Sequence, residues 1–393
     1  VLSERGAPYD GNMNSLDKPA MWRLAAAITI SATVFTAMQG LTYPLLALIL
    51  ERQGVSAWLI GVNAAMMPLG VIVAAPLTPY LMQRLGALRF VVSSQLGTLL
   101  CLLLIGAQHD AWLWLPLRFM MGLFLASQFV VTETWINQIA SDAYRGRILG
   151  FYATVLSAGF AAGPAILLGV GTQGWAPFTA GAALLLGALL VLWSVRRALP
   201  VARSERPMSV FAFLPLAPLL LLAVAAVAFA DEGSMSLLPI YVIQHGYGEH
   251  VGTAALIAMI AGSVSMQYPI GWLADRFPRG RVMFTCALVA AVSALAQRFS
   301  VGVPWLFWCV VFVWGGAYYA LYVLSLVRLG ERFSGAALIA GNSAMGAMWG
   351  VGGIVGPPML GGAMSSFGPN GLPVLLAMLF VAVALVIVRI DSD

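Results

Sequence analysis

Some twelve apolar stretches, each near the ~20 residues a helix needs to cross a hydrocarbon core, leave this chain little room for a soluble fold. They fall at about 22–50, 56–82, 90–108, 111–139, 148–171, 175–195, 209–243, 252–274, 282–300, 302–327, 335–364 and 369–389. Apolar residues make up 61% of the chain and charged residues 9%, against roughly 45–50% and 25% in soluble domains. The expected fold is an all-α membrane protein with twelve transmembrane helices. The first, seventh and eleventh stretches exceed a perpendicular span and imply tilt, or breaks at Gly and Pro. Val1 to Lys18 lacks the basic-then-apolar order of a signal peptide, so residues 1–20 are expected to form a disordered tail. Cys101, Cys286 and Cys309 all lie in apolar stretches without a CxxC pair and read as small buried residues.

Lys and Arg are retained in cytoplasmic loops, and here they fix an orientation. Seventeen fall on the side of the N-terminus, among them Arg84, Arg89, Arg145, Arg147, Arg276, Arg279 and Arg332, against Arg52 and Arg298 opposite. Both termini are therefore expected to be cytoplasmic. The net charge of +5 follows from this topology and implies no nucleic-acid partner.

The chain also repeats itself. A shift of 192 residues superposes LLALILERQG (45–54) on LLPIYVIQHG (237–246) and carries Arg84 onto Arg276 and Gln83 onto Asp275. A shift of 193 matches GFAAGPAILLG (159–169) with GGIVGPPMLGG (352–362). The expected domains are thus a six-helix bundle over 21–197, a cytoplasmic linker over 198–208 and a second bundle over 209–390. Parallel six-helix halves are a plan of secondary transporters, with solute bound near the midplane between them.

These features resemble the major facilitator superfamily from about residue 22 onward. GWLADRFPRGR, Gly271 to Arg281, is similar to its cytoplasmic G-x-x-x-D-R-x-x-R-x-R signature. The matching PYLMQRLGALR keeps the arginines but has Pro79 for the glycine and Gln83 for the aspartate. RFMMG, from Arg118, resembles the R-x-x-x-G motif of proton-linked members, and Gly159, Gly163 and Pro164 resemble the Gly-Pro motif of antiporters. Gly352, Gly356 and Pro357 repeat it. TETWINQ followed by YRGRILGFYAT looks like the YcaD-like branch. The resemblance implies a bacterial-type inner membrane, cavity-lining helices 1, 4, 7 and 10, and a gate at Gly271, Asp275, Arg276 and Arg84. Asp275 and its arginines would clamp helix ends by charge in one state; retention of positive charge by the leaflet is the plainer reading for Arg279 and Arg281. Gly163 and Gly356 would let helices approach and slide, or simply pack.

Four ionisable residues lie at membrane depth, where charge costs a few kcal/mol even on lenient scales. They are Arg118, Glu133, Asp231 and Glu232, all on cavity helices. Arg118 lies ~10 Å from the outer end of its helix and Asp231 ~18 Å from the outer end of its own. Arg118 is therefore expected to compensate Asp231 or Glu232 across the cavity in at least one conformation. Two adjacent acids cannot both ionise freely, so one can carry a proton; a purely structural polar network is the alternative. Glu133, ~22 Å from Arg118 along the same helix, is either a second proton site or a cap for Arg145 or Arg147. Gln39, Tyr43, Gln128, Tyr241, Tyr318, Tyr319 and Tyr322 are candidate contacts for an amphipathic organic solute, with Trp349 a weaker one.

The expected activity is proton-coupled transport by alternating access in a monomer, with export by antiport favoured. The alternatives are proton symport of an organic anion or nutrient, with Arg118 holding the anion, and a non-transporting assembly factor or receptor. No enzyme motif, cofactor, metal set or nucleotide-binding loop is present in the sequence.

Overall fold

A computed structural model describes residues 18–108, 110–140, 144–200 and 213–391. Most of the expected linker, with Arg203 and Arg206, lies outside the described residues, as do His109 and the start of the tail. The first six helices are α1 (Lys18–Arg52), α2 (Ala57–Leu85), α3 (Ala87–Ala107), α4 (Ala111–Ile139), α5 (Arg145–Val170) and α6 (Ala176–Ser194). The last six are α7 (Pro218–Gln244), α8 in two pieces, α8a (Glu249–Ser265) and α8b (Gln267–Arg276), then α9 (Arg279–Ser300), α10 (Pro304–Arg332), α11 (Gly335–Phe367) and α12 (Gly371–Asp391).

The internal repeat reappears in the helix boundaries. Arg52 and Gln244 end α1 and α7, Ala57 and Glu249 open α2 and α8, and Ala87 and Arg279 open α3 and α9, each pair 192 residues apart. The intervening turns use Gly54 and Gly246, also 192 apart, with φ of 72° and 88°. Side chains on Cβ disfavour that left-handed backbone, which glycine adopts without strain.

One expectation about helix limits is corrected, and another is bounded by a proline. The expected opening of the seventh span at 209 lies outside the described residues; α7 itself starts at Pro218, after a short 3-10 turn at Leu214–Leu216. Ala217 is held at φ −145° and ψ 53°, because the residue before a proline is excluded from the helical region. The break expected in a long span falls in α8, at Met266. Pro269 cannot donate a backbone hydrogen bond, and its ring displaces the carbonyl four residues earlier, that of Ser265, where α8a stops.

Among the described residues, eleven spans are long and apolar enough to cross a membrane, the two pieces of α8 counted as one. α11 is long enough, but nine glycines and two prolines among its 33 residues dilute its mean hydropathy. It compensates by packing closely on α7 and α2. A side chain at Gly61 of α2 would collide with the Pro357 carbonyl, and one at Gly356 with the Phe229 backbone of α7. α5 approaches α1 in the same way, Gly163 lying on the backbone of Gly40. The first and last six helices meet where α1 and α2 face α7, α2 faces α11 and α5 faces α8a.

The end of the molecule carrying Arg52 and Gln244 is called distal here, and the end where α1 begins proximal. At the distal end the two sets of helices are joined by polar bonds. Arg52 pairs with Glu249 at 3.2 Å and donates to the Thr172 carbonyl at 2.7 Å. Thr172 in turn donates a hydrogen bond to Glu249. Gln244 donates to Glu51 at 3.1 Å, and the Trp58 backbone to Ser365 at 3.1 Å.

Candidate functional site

A cavity of about 470 Å³ lies where the first six helices face the last six. One wall comes from α1, α4 and α5 and holds Phe35 stacked on Phe129 with centroids 4.7 Å apart, together with Phe160. The opposite wall, from α10 and α11, holds Tyr318, Tyr319, Tyr322 and Trp349 in edge-to-face and tilted contact; Tyr322 and Trp349 are 5.1 Å apart. Asp231 and Glu232 of α7 also line the cavity, and among the described residues no Lys, Arg or His does.

The two acids are the most buried carboxylates there, 5% and 4% exposed. Side chains at neighbouring helix positions diverge by about 100°, and these two find different partners. Tyr318 donates to Asp231 Oδ1 at 2.6 Å. Trp349 Nε1 donates to Glu232 Oε1 at 3.2 Å, while Glu232 Oε2 has no hydrogen-bond partner. Space for Glu232 comes from α11, where a Cβ at Gly353 would approach its Cγ to 3.1 Å.

Arg118 is 1% exposed, and the expected direct ion pair with Asp231 or Glu232 is not formed in this conformation. Its Nη1 donates to Thr42 Oγ1 at 2.8 Å. Thr42 gives its own proton to the Met38 carbonyl, which leaves an oxygen lone pair facing the guanidinium. The guanidinium also lies 4.6 Å from the centre of the Tyr43 ring, and the Tyr43 hydroxyl sits beside Glu232 without the alignment of a hydrogen bond. Tyr43 thus joins α4 to α7, with the cation on its face and the acid at its hydroxyl.

The other sequence candidates divide. Gln39, Tyr318, Tyr319 and Tyr322 line the cavity. Gln128 does not: it donates to the Ser31 carbonyl at 2.8 Å and ties α4 to α1. Nor does Tyr241, which donates to the Gln297 carbonyl at 3.3 Å and stacks on Phe307 within the last six helices. In this conformation both serve as packing residues. Glu133 is exposed on α4, one turn beyond Phe129, near Tyr152 and Tyr322, and forms no ion pair with Arg147; the Arg145 side chain lies outside the described residues.

Asp275 is exposed and makes no ion pair; Gly271 has no neighbour against which a side chain would press. Arg84 lies over Tyr80 at 4.4 Å and Arg276 over Trp272 at 3.9 Å. Both rings precede their arginine by one helical turn, and the pairs are again 192 residues apart. The ion pair found beside the signature is Arg279 with Glu331, which joins α9 to α10. Cys309, expected to be buried, is exposed on α10.

Sequence reasoning missed Phe35, Phe129, Phe160 and Thr42, and gave Trp349 too little weight. An aromatic residue in an apolar helix carries no mark of whether it faces lipid, a neighbour or a cavity. The usable signal was positional, since Phe35 and Phe129 sit on the same helices as Gln39 and Arg118.

The Major Facilitator Superfamily family model matches residues 28–266 and 220–392. The chain is 26% identical over 340 residues to the uncharacterized MFS-type transporter YfkF of Bacillus subtilis, covering 84% of this chain and 85% of that protein. It is 25% identical over 380 residues to YcaD of Shigella flexneri, an uncharacterized MFS-type transporter, covering 96% and 97%. Among solved structures it resembles the nucleoside transporter NupG, with a TM-score of 0.79 at 13% identity over 94% of this chain and 99% of that one. It also resembles a D-xylose-proton symporter, with a TM-score of 0.71 at 15% identity over 93% and 97%.

Proposed function

The chain belongs to the Major Facilitator Superfamily, in its YcaD-like branch, and on that premise we propose that it moves its solute together with protons, by symport, through Asp231 and Glu232. Secondary-active transport of a small solute across the bacterial inner membrane is the activity of the family and suits the spanning helices. The proton reading rests on one observation: two buried carboxyls face a solute-sized cavity between the two sets of helices, without a cation in direct contact. Closing a cavity over an ionised, unpaired acid is expensive, and a bound proton removes that cost. Loss of the proton restores an attraction toward Arg118, which stands one aromatic ring away. A proton therefore biases which conformation is favoured, as coupling requires.

Symport is preferred to exchange because the solved structures of this fold include a proton symporter. Export by antiport is the second reading, supported by the Arg118 and Gly-Pro motifs. An organic anion is disfavoured, since Arg118 is buried against Thr42 and Tyr43 and does not line the cavity. The excess of basic residues at the proximal end supports a cytoplasmic location for that end. The distal bonds of Arg52, Glu249 and Thr172 would then close the outer face, with the cavity open inward. Both halves of the cavity come from one chain, so a monomer suffices.

The test is uptake by proteoliposomes offered a panel of small organic solutes, with and without an imposed inward proton gradient. Solute accumulation driven by the gradient, and lost in D231N/E232Q, is expected. Accumulation unaffected by both changes would exclude the proposal.

A further inference from the structure

The cavity joins two features: aromatic rings on opposite walls, and acids with no Lys, Arg or His beside them among the described lining residues. Phe35 and Phe129 face Tyr319, Tyr322 and Trp349 across about 470 Å³. A cation over an aromatic face gains up to about 2 kcal/mol where water is excluded, whereas an anion gains nothing from such walls. Glu232 adds a charge without a cation. It is 4% exposed and lines the cavity, and among the described residues neither of its oxygens meets a Lys, Arg or His in an ion pair. Closing the cavity over such a carboxylate is costly, and an ammonium group arriving with the solute would pair with it.

The two acids are also differentiated. Asp231 already accepts a 2.6 Å bond from Tyr318. Glu232 is held on one oxygen by Trp349, with the Tyr43 hydroxyl beside the carboxylate. Adjacent carboxyls with separate partners can hold a proton and a cationic group at once, as symport of a cation requires. Building on the symport reading, we propose that the transported solute is an organic cation, an ammonium group on a compact aromatic or apolar body, bound by its nitrogen to Glu232 while Asp231 holds the proton. Arg118 and Tyr43 lie on the far side of Glu232 and keep its carboxylate oriented; Glu133, near Tyr322, is an acid nearer the proximal end that favours the approach of cations.

Purified full-length protein would be titrated with a set of amines, phenethylamine among them, each matched to a neutral alcohol and a carboxylate of similar shape, here 2-phenylethanol and phenylacetate. At least one amine is expected to bind about tenfold or more tightly than its partners. E232Q is expected to erase that preference while D231N keeps it, with both variants retaining the wild-type melting temperature within a few degrees. If no amine outbinds its neutral partner, or if E232Q leaves the preference intact, the proposal is overturned. Flux of the preferred amine in proteoliposomes separates the two readings. Glu232-dependent amine binding with flux blind to a proton gradient would remove the symport reading and leave the cation site standing. Gradient-driven flux of the neutral partner would do the reverse.

Discussion

Tyr43 carries more of the site's electrostatics than its position in an apolar helix suggests. Its ring receives Arg118 and its hydroxyl neighbours Glu232, so two charges that do not touch are held in register by one neutral side chain. Y43F preserves the ring and removes the hydroxyl, whereas Y43L removes both. Proton-driven transport is expected to fall modestly in Y43F and by tenfold or more in Y43L, read as initial uptake rates in proteoliposomes. Equal rates in the two variants would mean that the cation–ring contact is idle. The acids and Arg118 were legible in the sequence because charge inside an apolar span is costly and stands out. Their true connection was not, because Thr42 and Tyr43 are ordinary residues of a buried helix whose pairing depends on how α1 packs against α4 and α7.

Glycine sets the distances between the helices that carry the site. Gly61 of α2 lies against the Pro357 carbonyl of α11, and Gly356 of α11 lies on Phe229, two residues before Asp231. G61A would force α2 away from α11, and overpacking of this kind costs typically 1–3 kcal/mol. A clearly lowered melting temperature is expected, whereas the same change at Gly187 of α6, which has open space, should be nearly silent. Helix order and the 192-residue repeat were readable from hydropathy and matched segments. The division of α8 needed Pro269 to be weighed against the preceding turn, and the interruption before α7 needed Pro218; both are local backbone effects that a count of apolar residues cannot register.

The distal bonds and the cavity together describe one state of a molecule that must adopt at least two. The Arg52–Glu249 pair is partly exposed, and such pairs contribute about 1 kcal/mol or less, enough to bias two states several-fold without locking either. R52A is expected to raise the reactivity of a cysteine placed at Trp58 toward a polar thiol reagent by a few-fold, in a background lacking Cys101, Cys286 and Cys309. Unchanged reactivity would mean that helix packing alone closes that end. The central claim, that solute and proton travel together through Asp231 and Glu232, is tested most directly by a pH-sensitive dye trapped in proteoliposomes with no initial proton gradient. Adding a transported solute outside should acidify the interior, and D231N should abolish the signal. Alkalinisation would establish exchange, and solute entry with no change in pH would contradict proton coupling altogether.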